Sequence, residues 1–366
     1  MRSSDRGSEG QKSRKKSKAP RYIVRFLAAV LGLAVGFALY WYYLFGSTFV
    51  AVPIVNEEDY STIELVDSGS TTGGDVTSSW KDGGHTRLYY DPNHPIIEVK
   101  QKDPDIENIL VFGIDARGTD DYTCRTDSIM VLSINKRAKS VKLITLMRDT
   151  GVYIGDTPET LGSRLNKLNS AYHYGGVGEM INTINITFGL DIQRFVMFDF
   201  GSAAEMVDLC GGVDIEVKPE ELSHANRYLD EMYALDGNTS PHLTRGGLQT
   251  LDGHQAVAWT RIRYLDSDFV RASRQRTVAK VMMQKVKEMS YTDKLQLLND
   301  SAGVFETNMR PADIMRVALN CFDCMDNFEE HRIPEDGLYE VQNDPWMMKI
   351  DFATQKQRLN DYIWGE

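Results

Sequence analysis

The first long uncharged block of the chain runs from Phe26 to Phe45, "FLAAVLGLAVGFALYWYYLF". Twenty residues at about 1.5 Å rise span about 30 Å as a helix, the thickness of a bilayer's hydrocarbon core. Tyr40, Trp41, Tyr42 and Tyr43 close the block, where amphipathic rings settle at a membrane interface. Next comes a Gly, Ser and Thr-rich stretch without a sustained apolar period, from Ser47 to about Asp105. Apolar patterning resumes at "NILVFGID" (Asn108–Asp115), a run of buried-strand type. "DSIMVLSIN" and "SVKLITLMRD" flank the turn "KRAK" and predict an antiparallel hairpin.

Beyond the hairpin the period changes. "NKLNSAYHYGGVGEMINTINITFG" predicts a helix broken at Gly175-Gly176, "RFVMFDF" a strand, "SAAEMVDLCGG" a helix ending at glycine, and "VDIEV" a strand. A helix is expected through "LDGHQAVAWTRIR", and another from a cap at Ser267 to about Met289. "PADIMRVALNCF" and "FATQKQRLNDYIW" predict two more. Strands and helices alternate without a strict βαβ rhythm, which points to an α/β sandwich with a mixed sheet.

The chain is 42% hydrophobic and 25% charged, with a net charge of -11. That is globular composition, and the acidic balance argues against a nucleic-acid coat. The first 25 residues reverse the trend, with nine Lys and Arg against Asp5 and Glu9. A basic flank stays in the cytoplasm, so the uncharged block is expected to be an uncleaved single-pass anchor with the remainder outside the cell. A cleaved signal peptide would need a shorter apolar region and a small-residue cleavage site. The expected organisation is a basic cytoplasmic tail (1–25), a transmembrane helix (26–46), a stalk (47–105), a catalytic domain (106–290) and a helical C-terminal part packed on it (291–366). An external position permits disulfides, but Cys124, Cys210, Cys321 and Cys324 allow three pairings. One CxxC at Cys321–Cys324 does not make a zinc site, and a local disulfide or two reduced thiols is expected there.

Three places are over-polar for their setting. In "GIDARGTDDYTCRTDS", Asp115 ends a buried strand and Asp127 begins the next, with Arg125 between them. Carboxylates at adjacent strand ends suit a hard cation such as Mg²⁺, although Asp and Gly also belong in ordinary turns. Arg148 follows the apolar strand in "LMRDT". "RIRYLDSDFVRASRQR" (Arg261–Arg276) places five arginines in sixteen residues, with Arg271 and Gln275 four apart on one helix face and Asp268 in the first turn. Guanidinium forks bind phosphate oxygens in a bidentate way, so the set suits a pyrophosphate. There is no GxxxxGK[ST], GxSxG or HExxH, so a nucleotide cradle and the common hydrolase sites are not supported.

Taken in order, the blocks from "LVFGIDARG" through "LDGHQAVAWTRIRYLDSDFVRASRQ" resemble the LytR-CpsA-Psr family of bacterial cell-envelope enzymes, over about Ile109 to Lys287. The resemblance implies a Mg²⁺-dependent phosphotransferase. Such an enzyme moves a glycopolymer (teichoic acid or capsular polysaccharide) from an undecaprenyl-pyrophosphate carrier to a muramic-acid hydroxyl of peptidoglycan. It implies Asp115 and Asp127 as Mg²⁺-associated residues. Arg125, Arg148, Arg261, Arg263, Arg271 and Gln275 become pyrophosphate contacts, and Asp268 an acidic catalytic position and candidate base. Arg274 is a neighbouring candidate. Its partners would be the lipid-linked polymer, peptidoglycan and the cytoplasmic membrane, with no nucleotide or nucleic acid. Val270 and "TLMRDT" depart from the family's usual Gly and "SIPRDT" without removing a charge. The carrier's prenyl chain calls for an apolar groove, for which Tyr172, Phe188, Phe195 and Phe198 are candidates alongside a plain core role. A polyprenyl-pyrophosphate phosphatase and a non-enzymatic binder of polyprenyl phosphate are the competing readings.

Overall fold

The computed structural model describes residues 32–33, 35–56, 90–91, 93–115, 125–155, 164–237, 239–263, 265 and 267–365. They fall into two units, divided between Tyr43 and Leu44. In the first unit the described residues are helical and leave Leu33, Val35, Phe37, Leu39 and Tyr43 exposed. Among the described residues no helix is long and apolar enough to cross a membrane. The expected cytoplasmic tail and the first residues of the expected anchor, 26–31, lie outside them.

In the second unit, β1 (Ile54–Val55) and β2 (Ile96–Ile97) pair in parallel. Both ends of the expected stalk therefore belong to the folded body, while its middle, residues 57–89, lies outside the described residues. Next come β3 (Ile106–Ile114), β4 (Thr126–Asn135) and β5 (Ser140–Leu146), an antiparallel meander whose second turn is the expected hairpin. A small hairpin follows, β6 (Gly151–Ile154) with β7 (Arg164–Lys167). The chain then enters α1 (Ser170–Phe188), whose helical backbone breaks at Gly175 and Gly176 as expected. Gly176 has φ of 66°, which glycine adopts without the Cβ penalty. β8 (Arg194–Phe198) returns beside β3 in parallel.

A second layer is built from α2 (Phe200–Leu209), β9 (Val213–Val217), α3 (Leu222–Asp236), β10 (Gly247–Leu251) and α4 (Gly253–Thr260). The helix expected from Thr250 thus divides into strand and helix at Asp252, which caps α4 by accepting from Gln255 N. Gly253 lets α4 approach α2, since a Cβ there would stand 1.9 Å from the Ala204 carbonyl oxygen. α5 (Asp268–Glu288) begins after Ser267, as predicted. The last segment holds α6 (Tyr291–Asp300), α7 (Pro311–Cys324), β11 (Asn327–Ile333), β12 (Tyr339–Asn343), β13 (Trp346–Ile350) and α8 (Phe352–Trp364).

The main sheet has the order β11-β5-β4-β3-β8, and β11 and β8 run parallel to their neighbours while the middle is antiparallel. It is the mixed sheet that the sequence predicts. The C-terminal part, expected to be helical, supplies β11 as the sheet's edge. "NFEEHRI" hides that role because an edge strand is wetted and needs no apolar run.

Alternate residues of the central strands face opposite layers. Leu110, Phe112 and Ile114 join Tyr172, Ile181 and Phe188 of α1 in the main core. Tyr172, Phe188 and Phe195 have no exposed surface, and Phe112 packs 5.6 Å from Tyr172 and 6.0 Å from Phe195. These three expected groove candidates are therefore core, while the half-buried Phe198 packs on Phe305. Cys210, Cys321 and Cys324 are free thiols, and Cys124 lies outside the described residues. Burial pushes the Cys321 thiol up to about 12, the Cys324 charge adding to it.

Candidate active site

The C-terminal end of β5 and the start of α5 meet at a β-bulge in β4. Gly113 pairs with Ser128 and Ile114 with Thr126, which leaves Asp127 as the extra residue. A bulge next to a strand end re-aims one side chain. Asp127 is that residue, and three guanidinium groups surround it. Arg148, two residues beyond β5, donates to its Oδ1 at 2.5 Å. Arg263, between α4 and α5, reaches Oδ1 at 3.0 Å and Oδ2 at 2.9 Å. Arg271, on the first turn of α5, stands 2.7 Å from Oδ2.

Asp268 completes the cluster. It accepts from Arg148 Nε and Nη2 at 3.1 and 2.7 Å in a two-pronged pair, and Arg271 Nη1 lies 3.4 Å away. Gln275, one turn beyond Arg271, directs Nε2 at the Asp127 carbonyl oxygen, 3.5 Å distant. With Asp149 and Lys167, which adjoin Arg148, four cations face three carboxylates, an excess of one positive charge. Arg271 is 3% exposed as a side chain, and its Nε is buried with no hydrogen-bond partner among the described residues. A buried donor left unpaired costs about 1–3 kcal/mol, which an incoming anion can recover.

Burial acts to raise the Asp127 pKa, but Arg271, Arg148 and Arg263 outweigh it and hold the carboxyl below its usual range. Burial pulls the Arg271 guanidinium down and Asp127 opposes that, while Arg148 and Arg263 add to the pull. A group that begins above 12 still stays charged at neutral pH. A carboxyl with a depressed folded pKa adds stability above its unfolded value of about 3.9 and loses it as pH falls further. The stability gap between wild type and Asp127→Asn should therefore hold steady from pH 7 to 5 and shrink only below about pH 4. Urea midpoints measured across that range test this. A gap already closing above pH 5 would contradict the charge cage.

The remaining expected site residues sit at the rim or elsewhere. Asp115 follows β3, and its N–H bonds the Arg125 carbonyl at 3.2 Å, so the two stand opposite at the ladder's end. Arg125 is exposed there. The contacts that fix Arg261 lie in the second layer. Its guanidinium covers the rings of Phe200 and Tyr228 at 4.2 and 4.9 Å and reaches Glu231 at 3.2 Å. Arg274 is buried against Glu221, 2.9 Å away.

Two residues escaped the sequence reading. Asp149 lies 3.3 Å from Arg148 Nε and 2.7 Å from Lys167 Nζ, so it links the cluster to β7. Its position next to Arg148 was a usable signal. Lys167 gave none, because only the β6–β7 register brings it there.

For a metal, carboxylate oxygens at Asp115 and Asp127 are the right donors for a hard cation. Both oxygens of Asp127 already meet two guanidinium groups each, which fills about four acceptor positions. A cation held by Asp127 therefore takes the place of one such contact, and Arg263, the most exposed of the three, is the one able to yield. The cleft beside Asp127 is closely filled by its own side chains, with an internal volume of about 10 Å³. That is space for about one water, so phosphate groups enter by displacing contacts between the carboxylates and the arginines, and an attached sugar or lipid lies outside the cleft.

A family model described as the LytR_cpsA_psr family matches residues 73–361. The chain belongs to that family. It is the one the sequence blocks resemble, and the match extends through the C-terminal segment that completes the sheet. LytR_cpsA_psr relatives include the polyisoprenyl-teichoic acid–peptidoglycan teichoic acid transferase TagU of Bacillus anthracis. It is 28% identical over 283 residues, covering 75% of this chain and 84% of that one. TagV of Bacillus subtilis, a transferase of the same description, is 27% identical over 218 residues, 59% of this chain and 52% of that one. Among solved structures, TagT with bound octaprenyl pyrophosphate lipid has a TM-score of 0.53 at 20% identity, covering 73% of this chain and 94% of that one. TagT bound to LI-WTA has a TM-score of 0.57 at 22% identity, with the same coverage. At these identities the structures speak for the LytR_cpsA_psr fold.

Proposed function

We propose that the protein transfers a teichoic-acid-type or related wall glycopolymer from a polyprenyl-pyrophosphate carrier to peptidoglycan, forming a phosphodiester. The observation that carries this reading is the cage of Arg148, Arg263 and Arg271 around Asp127, with one excess positive charge and an unpaired Arg271 Nε–H. The transferase relatives and the pyrophosphate-lipid complex of TagT support it. The basic residues before Arg25 and the uncharged run from Phe26 support a membrane anchor at 26–46 with the catalytic domain outside the cell.

Phosphoryl transfer asks little covalent chemistry of a protein, mainly positioning and charge neutralisation. The pyrophosphate oxygens take the guanidinium contacts that Asp127 and Asp268 now occupy. An acceptor hydroxyl oxygen forms a new bond to the phosphorus next to the polymer's first sugar. The bridging P–O bond breaks, and polyprenyl phosphate leaves with that bond's electrons. Asp268 retains an acceptor position on Oδ2 beyond its contact with Arg148 and is placed to receive the hydroxyl proton. Arg125 at the rim adds positive potential. Mg²⁺ held by Asp115 and Asp127 would neutralise charge on the transferring phosphoryl group.

The test incubates the protein with lipid-linked polymer, with and without peptidoglycan. Acceptor-dependent conjugate and polyprenyl phosphate in equal amounts are expected, and EDTA should stop both. Phosphate release indifferent to acceptor would make the protein a phosphatase, and binding without turnover would make it a binder. Arg263→Ala, which removes the most exposed guanidinium, should raise the donor KM about tenfold with a smaller loss in kcat. A kcat loss alone would move Arg263 from binding to the transition state.

A further inference from the structure

The outer face of the small hairpin beside the arginine cluster has no role in the chemistry above. Its register pairs Gly151 with Lys167 and Tyr153 with Leu165, so these four residues share one face. Val152 and Ile154 turn the other way and are fully buried in the main core. Tyr153 and Leu165 are 38% and 45% exposed, and Trp346, the first residue of β13, is 38% exposed. Single exposed apolar residues are ordinary on a protein surface. Here three of them lie in one row that ends at the candidate active site, which asks for a partner.

The row is fixed to the site by backbone contacts. Met348 N donates to the Asp149 carbonyl at 3.0 Å, which ties β13 to the residue after Arg148. Met347 lies over Gly151, where a Cβ would stand 2.8 Å from its sulfur. Lys167 Nζ stands 5.1 Å from the Trp346 ring and 2.7 Å from Asp149, whose other oxygen is 3.3 Å from Arg148 Nε. One lysine and one carboxylate therefore separate an exposed indole from the arginine cage. From the Trp346 end to Tyr153 the row covers two strand residues, about 7 Å, plus the lysine contact. That length suits two linked sugar rings.

The chemistry selects the occupant. A prenyl chain needs a continuous apolar groove, and this row is broken by Lys167. A polyphosphate chain needs unmatched cations, whereas Asp149 already matches the Lys167 charge. The Tyr153 ring packs on Phe352 at 5.8 Å and Lys167 stands over Trp346, and the aromatic surface each leaves exposed, with a hydrogen-bonding group between, suits the C–H faces and hydroxyls of uncharged pyranose rings. The cleft itself is too small to hold them.

We propose that Trp346, Lys167, Leu165 and Tyr153 form the docking surface for the sugar backbone of the peptidoglycan acceptor, delivering its hydroxyl to the Arg148 side of the cage. This rests on the transferase reading and names the acceptor's place in it. The test uses the full-length protein in detergent. Soluble uncrosslinked peptidoglycan strands are the probe, and binding is measured without donor so that turnover is not required. Trp346→Ala and Tyr153→Ala should each weaken strand binding and raise the acceptor KM about tenfold, while kcat at saturating acceptor and the donor KM stay within twofold. Trp346→Phe should keep most of the affinity. Arg271→Ala should bind strands like wild type.

Unchanged strand affinity in both alanine variants would overturn the proposal. So would a rise in the donor KM instead, which would assign the face to the incoming polymer. Thermal melts identify a variant that has lost its fold, and Tyr153→Ala, on a different hairpin from Trp346, then carries the test. If wild type forms no conjugate yet Trp346→Ala weakens strand binding, the transferase reading fails and the docking surface stands.

Discussion

Arg271→Ala should lower kcat/KM for conjugate formation by about a thousandfold, the scale seen when a positioned charge is withdrawn from phosphoryl or acyl transfer. Arg271 is almost wholly buried, touches both Asp127 and Asp268, and offers its Nε–H to no partner among the described residues. It is therefore the guanidinium best shielded from water, where its charge acts most strongly on an anion. Arg271→Lys keeps the charge but loses the planar fork, and should recover no more than about tenfold of the loss. Steady-state rates with lipid-linked donor, alongside thermal melts, check both variants. Activity within tenfold of wild type in Arg271→Ala would remove Arg271 from the transition state and shift the chemistry to the rim arginines.

How that residue was legible, and others less so, follows from the kind of signal each one gives. Ser267 at a helix start and the four-residue spacing of Arg271 and Gln275 are local features, and local periodicity places both side chains on one face. The hairpin of β4 and β5 was readable for the same reason. The bulge that turns Asp127 into the cage was not, because it depends on the pairing of β4 with β3 across a segment of the chain. Arg261 and Arg263 are two residues apart and look alike in sequence. One meets Asp127 and the other stacks on Phe200 and Tyr228, since which way each points depends on the layer packed against it. β11 was hidden by its charges, and Lys167 by a register that only tertiary structure sets. The sequence therefore carried the chemistry of the cage more clearly than its geometry.

The second large effect concerns stability, and it separates Arg274 from its catalytic-looking neighbours. Arg274 donates Nε and Nη2 to Glu221 Oε1 at 3.0 and 2.9 Å, and Nη1 to the Ile262 carbonyl at 3.2 Å. Trp259 Nε1 donates to the other Glu221 oxygen at 2.8 Å. Both charged side chains are 3% exposed. Removing one partner of such a pair strands the other's charge in the interior, which costs about 3–5 kcal/mol. Arg274→Ala should destabilise the protein by that amount in urea unfolding, with the Glu221 carboxylate left to the Trp259 and Lys218 N–H groups and no cation. Replacing both partners with apolar residues of similar size, Arg274→Met with Glu221→Leu, removes the stranded charge and should restore most of the loss. The pair joins α5 to the start of α3, so it also holds the helix that carries Arg271 and Gln275. Transfer activity should accordingly fall in the single variant near its melting temperature and return to within about threefold in the double variant. A double variant that is stable and inactive would instead give Arg274 a part in the chemistry. Recovery of both properties together would show that the buried pair supports the site only through the placement of α5.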